Sequence, residues 1–236
     1  MNKIHKDMNI IQKIKSISLW IFLVPFFAIN FSLIIATQFS ELFLDGQALY
    51  YNFFPYFDGA ASISRTVRYF PNYLIFKPAM FFTAFLLFQY WLYNKKIIEI
   101  FDKNNKNIKK ILFFGIGSAL ALTIHSIFLG IKFDNDLYKL FRRVIMLSFI
   151  IFEIIAQVYL VSTFYSFKDK LTPFINTKYL RIKLFLVLTL IIVAIISIPL
   201  LIMPGNKFLK HALEWDFFLG VISFYLLTFL MWKNKS

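Results

Sequence analysis

Six long apolar stretches constrain this chain more than any other feature of its sequence. An α-helix needs about 20 mostly apolar residues to cross the hydrocarbon core of a bilayer. Inside that core every backbone N–H and C=O must be bonded within the segment, so the stretches must be helices and not strands. We predict spans at residues 17–37, 73–93, 111–131, 144–167, 184–203 and 215–232. The fold class is therefore all-α, a polytopic membrane helical bundle forming one domain over residues 1–236.

The composition supports a membrane environment. Of the 236 residues 59% are hydrophobic and 16% are charged, whereas a soluble domain is about one quarter charged. Cysteine is absent, which excludes a disulfide framework and a thiolate metal site. The abundance of Lys, Asn, Ile and Phe is typical of an AT-rich bacterial genome, so we expect a bacterial inner membrane.

The distribution of Lys and Arg predicts the orientation. Most of the 26 basic residues fall at residues 1–16, 94–110, 168–183 and 233–236. The positive-inside rule then places both termini in the cytoplasm, an N-in/C-in topology. Trp20, Trp91 and Trp232 lie at the predicted cytoplasmic ends, where indole rings anchor at the headgroups. The net charge of +14 thus indicates contact with anionic headgroups at the cytoplasmic face, and no nucleic acid is expected as a partner.

The first outward loop, residues 38–72, is the longest connection. It holds a run of aromatic residues around Pro55: Tyr50, Tyr51, Phe53, Phe54, Tyr56 and Phe57. Such a segment lies in the membrane interface, caps the bundle or acts as a lid over a ligand. Asp58, Arg65 and Arg68 follow in the same loop.

Further charges open the fourth and sixth helices at the same outward rim. Arg142 and Arg143 begin the fourth, and Glu214 and Asp216 begin the sixth. These charges are either solvated helix ends or a vestibule for a lipid headgroup or another polar ligand, since Arg suits bidentate phosphate contacts. The candidate binding residues are therefore Asp58, Arg65, Arg68, Arg142, Arg143 and Glu214.

Three polar residues lie inside predicted spans. Glu153 is near the middle of the fourth helix, with Gln157 one turn further on the same face. A carboxyl group at that depth costs several kcal/mol unless it is paired or protonated. It is either a proton or substrate site or a helix-packing hydrogen bond. His125, in the third helix, is a candidate partner for Glu153. Gly115, Gly117, Ala119 and Ala121 give the third helix a small-residue spacing that favours close helix packing.

The sequence lacks the usual catalytic motifs: a Gly-rich phosphate loop, His-Glu-x-x-His and Gly-x-Ser-x-Gly. With three His and no Cys we expect no metal site and no cofactor, and the catalytic residues, if any, are unknown. The N-terminal apolar run is too long for a signal peptide and has no cleavage site after it, which predicts an uncleaved first helix.

A family resemblance rests on two groups of residues. Pro55-Tyr56-Phe57-Asp58-Gly59 with Ser62 in the first loop, and Glu214-Trp215 followed by Tyr225-Leu226-Leu227-Thr228-Phe229, resemble the DRAM/FRAG group. That group comprises damage-regulated autophagy modulators and relatives in GPI-anchor lipid remodelling and lipid asymmetry. The resemblance implies a six-helix membrane protein linked to lipid handling, with no defined catalytic residues. A bacterial member would not act on GPI anchors or in autophagy.

Three functions remain open from the sequence. The first is a non-enzymatic, lipid-associated protein with headgroup recognition at its outward face. The second is a small transporter or proton-coupled carrier centred on Glu153. The third is a membrane lipid-modifying enzyme that uses Asp58, His211 or Glu214 as acid or base.

The charge distribution generates a test of topology. Reporters fused after Ser236 and inserted between Asn94 and Lys110 are expected to report the cytoplasm, because Lys and Arg near the ends of spans are retained there. Paired alkaline phosphatase and green fluorescent protein fusions measure this. Phosphatase activity at either site would contradict the N-in/C-in topology.

Overall fold

The chain is helical along almost all of its described length. The computed structural model describes residues 2–43, 54–131, 135–202 and 205–233. Its helices are α1 Asn2–Gln38, α2 Pro55–Asp58, α3 Ile63–Val67, α4 Asn72–Phe101, α5 Ile108–Phe128, α6 Asp136–Ser166, α7 Lys168–Leu171, α8 Thr177–Ile202 and α9 Lys207–Met231. Within these ranges the only β pairing is an isolated bridge between Ile175 and Trp232. The predicted all-α fold class is confirmed.

Six of the described helices, α1, α4, α5, α6, α8 and α9, are long and apolar enough to cross a membrane. The chain is therefore a multi-pass membrane protein. Most of these helices extend beyond the predicted spans: α4 continues to Phe101, α6 begins at Asp136 and α8 begins at Thr177. An apolar window detects only the part of a helix in hydrocarbon, whereas the hydrogen-bonded backbone continues through the headgroup region.

Both ends of the chain come to one end of the bundle, which we call the terminal face. Lys15 Nζ in α1 donates a hydrogen bond to the carbonyl of Trp232 at 2.8 Å. The N–H of Asn176, before α8, donates to the carbonyl of Met231 at 2.8 Å. The opposite end, which carries α2, α3 and the start of α9, is the loop face. Which face lies in the cytoplasm stays a prediction.

The half of the bundle near the terminal face is tightly packed with aromatic side chains. Trp91, Phe164, Trp232, Tyr90 and Tyr225 are at most 1% exposed. The interpretation of Trp91 and Trp232 as headgroup anchors is wrong, because both rings are buried between helices. Trp20 is half exposed, as an anchor would be.

The half of the bundle near the loop face is packed more loosely. No described residue of α6 before Glu153 is buried, and in α9 Trp215 is the only buried residue before Val221. The side chains of α6 and α9 in this half instead border an internal cavity. The packing therefore changes along the bundle axis at about the level of Glu153.

The small residues of α5 make room for aromatic rings. A Cβ added to Gly115 would lie 2.4 Å from the ring of Trp91 in α4, and one added to Gly117 would lie 2.8 Å from the ring of Phe152 in α6. The predicted close packing of α5 is thus present. Aromatic rings from α4 and α6, and not the backbones of those helices, fill the space beside the two glycines.

A pair of glycine substitutions tests this packing. Gly115→Ala places a methyl group against a rigid, fully buried indole, so we expect a loss of about 1–3 kcal/mol in unfolding free energy. Gly220→Ala meets only a terminal methyl of Leu190, at 2.6 Å, which can rotate away. Thermal denaturation in detergent measures both. Equal melting temperatures for the two variants would contradict the packing of Trp91 on Gly115.

Candidate functional site

The first loop is docked on the start of α9. Trp215 Nε1 donates a hydrogen bond to the carbonyl of Ala61 at 2.9 Å, and His211 Nδ1 lies 2.9 Å from the carbonyl of Gly59. The ring of Tyr56 lies 4.9 Å from that of Trp215, measured between centroids. The first loop therefore contacts the start of the sixth span. Of the aromatic run, Tyr50, Tyr51 and Phe53 lie outside the described residues.

Gly59 permits this docking. Its φ is +60°, in the left-handed region that favours glycine, and it forms the C-cap of α2. A Cβ at this position would lie 1.8 Å from the backbone carbonyl oxygen of Phe208. The backbone of the loop thus approaches the backbone of α9 too closely for any other residue.

The aromatic segment divides into a buried and an exposed part. The Tyr56 hydroxyl donates to Asn30 Oδ1 in α1 at 3.1 Å, and burial raises the pKa of Tyr56 above its ordinary value. Phe54 and Phe57 stack on each other and are exposed, Phe57 to 86%. Tyr56 therefore fastens the segment to the bundle, while the two Phe rings face outward from it.

The acidic residues of the predicted site are engaged with the loop backbone. Asp58 accepts hydrogen bonds from the N–H of Phe54 at 2.6 Å and of Ala60 at 2.8 Å. The Glu214 carboxyl group faces the N–H groups of Ile63 and Ser64, the first residues of α3. A carboxylate in that position stabilises a helix start. Asp58 thus stabilises the conformation of the loop, whereas Glu214 and His211 of α9 hold the loop on that helix.

Two arginines of the predicted site are brought together beside Glu214. Arg68 lies within electrostatic range of both Glu214 and Arg142. The Nε atoms of Arg68 and Arg142 are buried and have no hydrogen-bond partner in the described part of the chain. Arg65 lies near His211. Arg143 is on the exposed side of α6, and among the described residues no hydrogen bond or ion pair joins it to the others.

An apolar cavity runs inward from these groups. It has an empty volume of about 830 Å³, which includes space at its mouth. Its lining on α9 extends from Glu214 to Tyr225, a length of about 16 Å at 1.5 Å per residue, or about half of a ~30 Å hydrocarbon core. Its polar lining residues are Ser64, Thr83, His125, Glu153, Glu214 and Tyr225.

Glu153 lies at the inner end of this cavity and points into the bundle, as predicted. Its side chain is fully buried. Gln157 Nε2 donates to Glu153 Oε1 at 3.1 Å, the Tyr225 hydroxyl donates to the same oxygen, and Ser118 Oγ lies 2.6 Å from Oε2. The hydrogen bond to Gln157 was expected from the helix spacing.

His125 is not a hydrogen-bond partner of Glu153. Both residues line the cavity, but the residue of α5 that contacts Glu153 is Ser118. His125 is seven residues further along α5, about 10 Å along the helix axis. It lies instead within electrostatic range of Arg142.

Sequence reasoning missed a second buried ionisable group, Lys183. It was counted among the loop charges, but it lies inside α8 and is fully buried. Its Nζ donates to Thr228 Oγ1 at 2.7 Å and lies 3.8 Å from the centroid of the Phe224 ring. The helical spacing of Lys183, Val187 and Leu190, all buried, was the available signal.

The fold and the cavity define a class, a multi-pass membrane protein with an internal, largely apolar cavity. No family model, curated protein or solved structure matches the chain. The DRAM/FRAG resemblance therefore stays a prediction. Its two groups of residues do meet in the structure, since Tyr56 of the first contacts Trp215 of the second.

Substitutions at Glu153 test its hydrogen bonds. Glu153→Gln retains the size and can still bond Ser118 and Tyr225, so we expect it to fold with a change of less than about 1 kcal/mol. Glu153→Leu removes the acceptor that Ser118, Gln157 and Tyr225 share and should lower the unfolding free energy by about 1–3 kcal/mol. Melting in detergent, followed by circular dichroism, distinguishes them. Equal stability of the Leu variant and the wild type would show that these hydrogen bonds do not contribute to the unfolding free energy.

Proposed function

We propose that this chain is a lipid-associated membrane protein that binds an anionic amphiphile at the loop face. In this proposal the hydrocarbon part of the ligand lies in the cavity, and its headgroup lies against Arg68 and Arg142. The proposed activity is binding alone, without a chemical step.

The arginine pair is the observation that carries the proposal. Arg68 and Arg142 are near enough to interact electrostatically, and like charges at close range favour the binding of an anion between them. Both Nε atoms are buried donors without a partner, whereas buried donors in proteins are normally bonded. A phosphate group can accept hydrogen bonds from both guanidinium groups.

The cavity supports a hydrocarbon chain as the other part of the ligand. Its lining includes Glu214, which lies within electrostatic range of Arg68, and His125, which lies within electrostatic range of Arg142. Most of its lining is apolar, including Phe76, Met80 and other aliphatic and aromatic side chains. An apolar pocket with a few polar groups at one end matches the chemistry of an amphiphile.

The family resemblance and the distribution of basic residues also support this proposal. The DRAM/FRAG resemblance implies lipid handling, and the basic residues of the terminal face would contact anionic headgroups of a bacterial inner membrane. A lipid-modifying enzyme built on Asp58, His211 and Glu214 is less favoured. The polar atoms of these three side chains face the loop backbone and hold its conformation.

Phosphatidylglycerol binding to the purified protein tests the headgroup contact. We expect Arg142→Gln to weaken binding about tenfold, since a hydrogen bond to a charged group contributes about 1.5–3 kcal/mol and 1.4 kcal/mol is tenfold. Arg143→Gln removes the same charge from the neighbouring, exposed position and is expected to bind normally. Native mass spectrometry of lipid titrations in detergent gives the affinities.

A second pair of variants tests whether the ligand occupies the cavity. Val221→Phe adds bulk to a lining residue, whereas Val144→Phe adds it at an exposed position of α6 outside the lining. Only the first should reduce phosphatidylglycerol binding. Equal affinities for phosphatidylglycerol and phosphatidylcholine, or equal effects of the Arg142 and Arg143 variants, would overturn the proposal.

A further inference from the structure

A chain of buried polar side chains continues from the inner end of the cavity toward the terminal face. Its members in order are Glu153, Tyr225, Tyr90, Thr228 and Lys183. We propose that this chain conducts protons between the cavity and the terminal face. The activity is additional to amphiphile binding and does not depend on it.

Lys183 provides the end of the chain nearer to the terminal face. It lies six residues inside α8, about 9 Å from Thr177, where the helix begins. Its amine is fully buried, with Thr228 Oγ1 at 2.7 Å and the face of the Phe224 ring at 3.8 Å. A buried ionisable side chain in a membrane span is costly and characteristically serves proton or ion pathways.

Hydroxyl groups form the middle of the chain. The Tyr90 hydroxyl lies 3.3 Å from Thr228 Oγ1, and the Tyr225 hydroxyl is bonded to Glu153. Each hydroxyl can donate one hydrogen bond and accept another, which is the requirement for relaying a proton. Between Tyr90 and Tyr225 the contact is ring to ring, with 4.9 Å between centroids. Transfer between these two phenols therefore requires their hydroxyl groups to approach each other.

Ser118 allows Glu153 to gain and lose a proton without leaving a polar atom unpaired. Its single hydroxyl proton has two acceptors within reach, Glu153 Oε2 at 2.6 Å and the carbonyl of Gly115 at 2.8 Å. It donates to the carboxyl group when Glu153 is ionised. When Glu153 carries a proton on Oε2, that proton is donated to Ser118, and the hydroxyl turns to Gly115.

The titratable groups that face Glu153 of α6 come from three other helices. His125 of α5 and Glu214 of α9 line the cavity further toward the loop face. Tyr225 of α9 and Tyr90 of α4 lie beside Glu153. The described lining contains no Lys or Arg. Arg68 and Arg142 lie near Glu214 and His125 toward the loop face, and between these residues and Glu153 no Lys or Arg belongs to the described lining.

The transfer balances over one cycle. A proton from the cavity adds to the Glu153 carboxylate. The Tyr225 hydroxyl first turns from Glu153 toward Tyr90, and the Thr228 hydroxyl turns from the Phe224 carbonyl toward the neutral Lys183 amine. Glu153, with the proton on Oε1, then passes it to Tyr225 as that phenol gives its own to Tyr90. Tyr90 gives one to Thr228 as Thr228 gives one to Lys183. Release from the Lys183 ammonium at the terminal face, with return of each hydroxyl to its first orientation, restores the starting state.

Proton flux into liposomes tests the proposal. The wild-type protein is reconstituted without added ligand, a potassium gradient with valinomycin sets the membrane potential, and a trapped pH-sensitive dye reports acidification. We expect flux above that of empty liposomes, reduced at least tenfold by Glu153→Gln and by Thr228→Val. Thr37→Val is the matched control, because Thr37 is also a buried threonine of a span but bonds only within α1.

The following outcomes decide whether the chain conducts protons. Wild-type flux equal to that of empty liposomes, or undiminished flux in both the Glu153→Gln and Thr228→Val variants, would overturn the proposal. Lys183→Met should also abolish flux; if it does not fold, the first two variants still decide. Normal phosphatidylglycerol binding by Thr228→Val with loss of flux would separate this activity from amphiphile binding.

Discussion

A carboxyl group at the centre of an apolar bundle must be satisfied by its neighbours, and this requirement determines how three helices of this protein meet. Glu153 of α6 takes its hydrogen-bond partners from α5, from α9 and from its own helix. Gln157, one turn along, uses its second amide proton on the carbonyl of Val221 in α9. These bonds fix the rotation of α6 about its axis, because turning the helix would place the carboxyl group in lipid.

The change in packing along the bundle follows from this junction. Between Glu153 and the terminal face the helices pack against one another. Aromatic rings such as Phe164 and Trp232 fill the space between them. Toward the loop face α6 and α9 enclose the cavity, and the first loop supplies the cover, with Gly59 against the backbone of α9. The loop thus replaces side-chain packing that the spanning helices do not provide at that end. The cavity and the tightly packed region are thereby separated along the same six helices.

The sequence alone predicted which segments are helices, but it predicted poorly which side of each helix faces the interior of the bundle. An apolar run of about 20 residues has few alternatives in a bilayer, and an acid in mid-span must face inward, so the burial of Glu153 and its bond to Gln157 could be foreseen. Lys183 could not be placed by hydropathy, because a lysine at a span boundary either turns to the headgroups or, as here, enters the core. Trp91 and Trp232 were misassigned for a similar reason, since an indole suits a membrane interface and a bundle core equally. These choices depend on which side of a helix faces its neighbours, and the partners come from distant parts of the chain.

The presence of one acid and one amine in the same polar chain also has an energetic consequence. When a proton moves from Glu153 to Lys183, a neutral pair becomes a pair of opposite charges, and the net charge of the buried cluster does not change. The cost of this internal step is therefore that of separating two opposite charges within the protein, which their mutual attraction reduces. The net charge of the cluster changes only when Glu153 takes up a proton from the cavity or Lys183 releases one. The phenols and Thr228 lie between the two groups, where their dipoles can turn toward either charge. A cluster with only Glu153, or only Lys183, would lack this compensation.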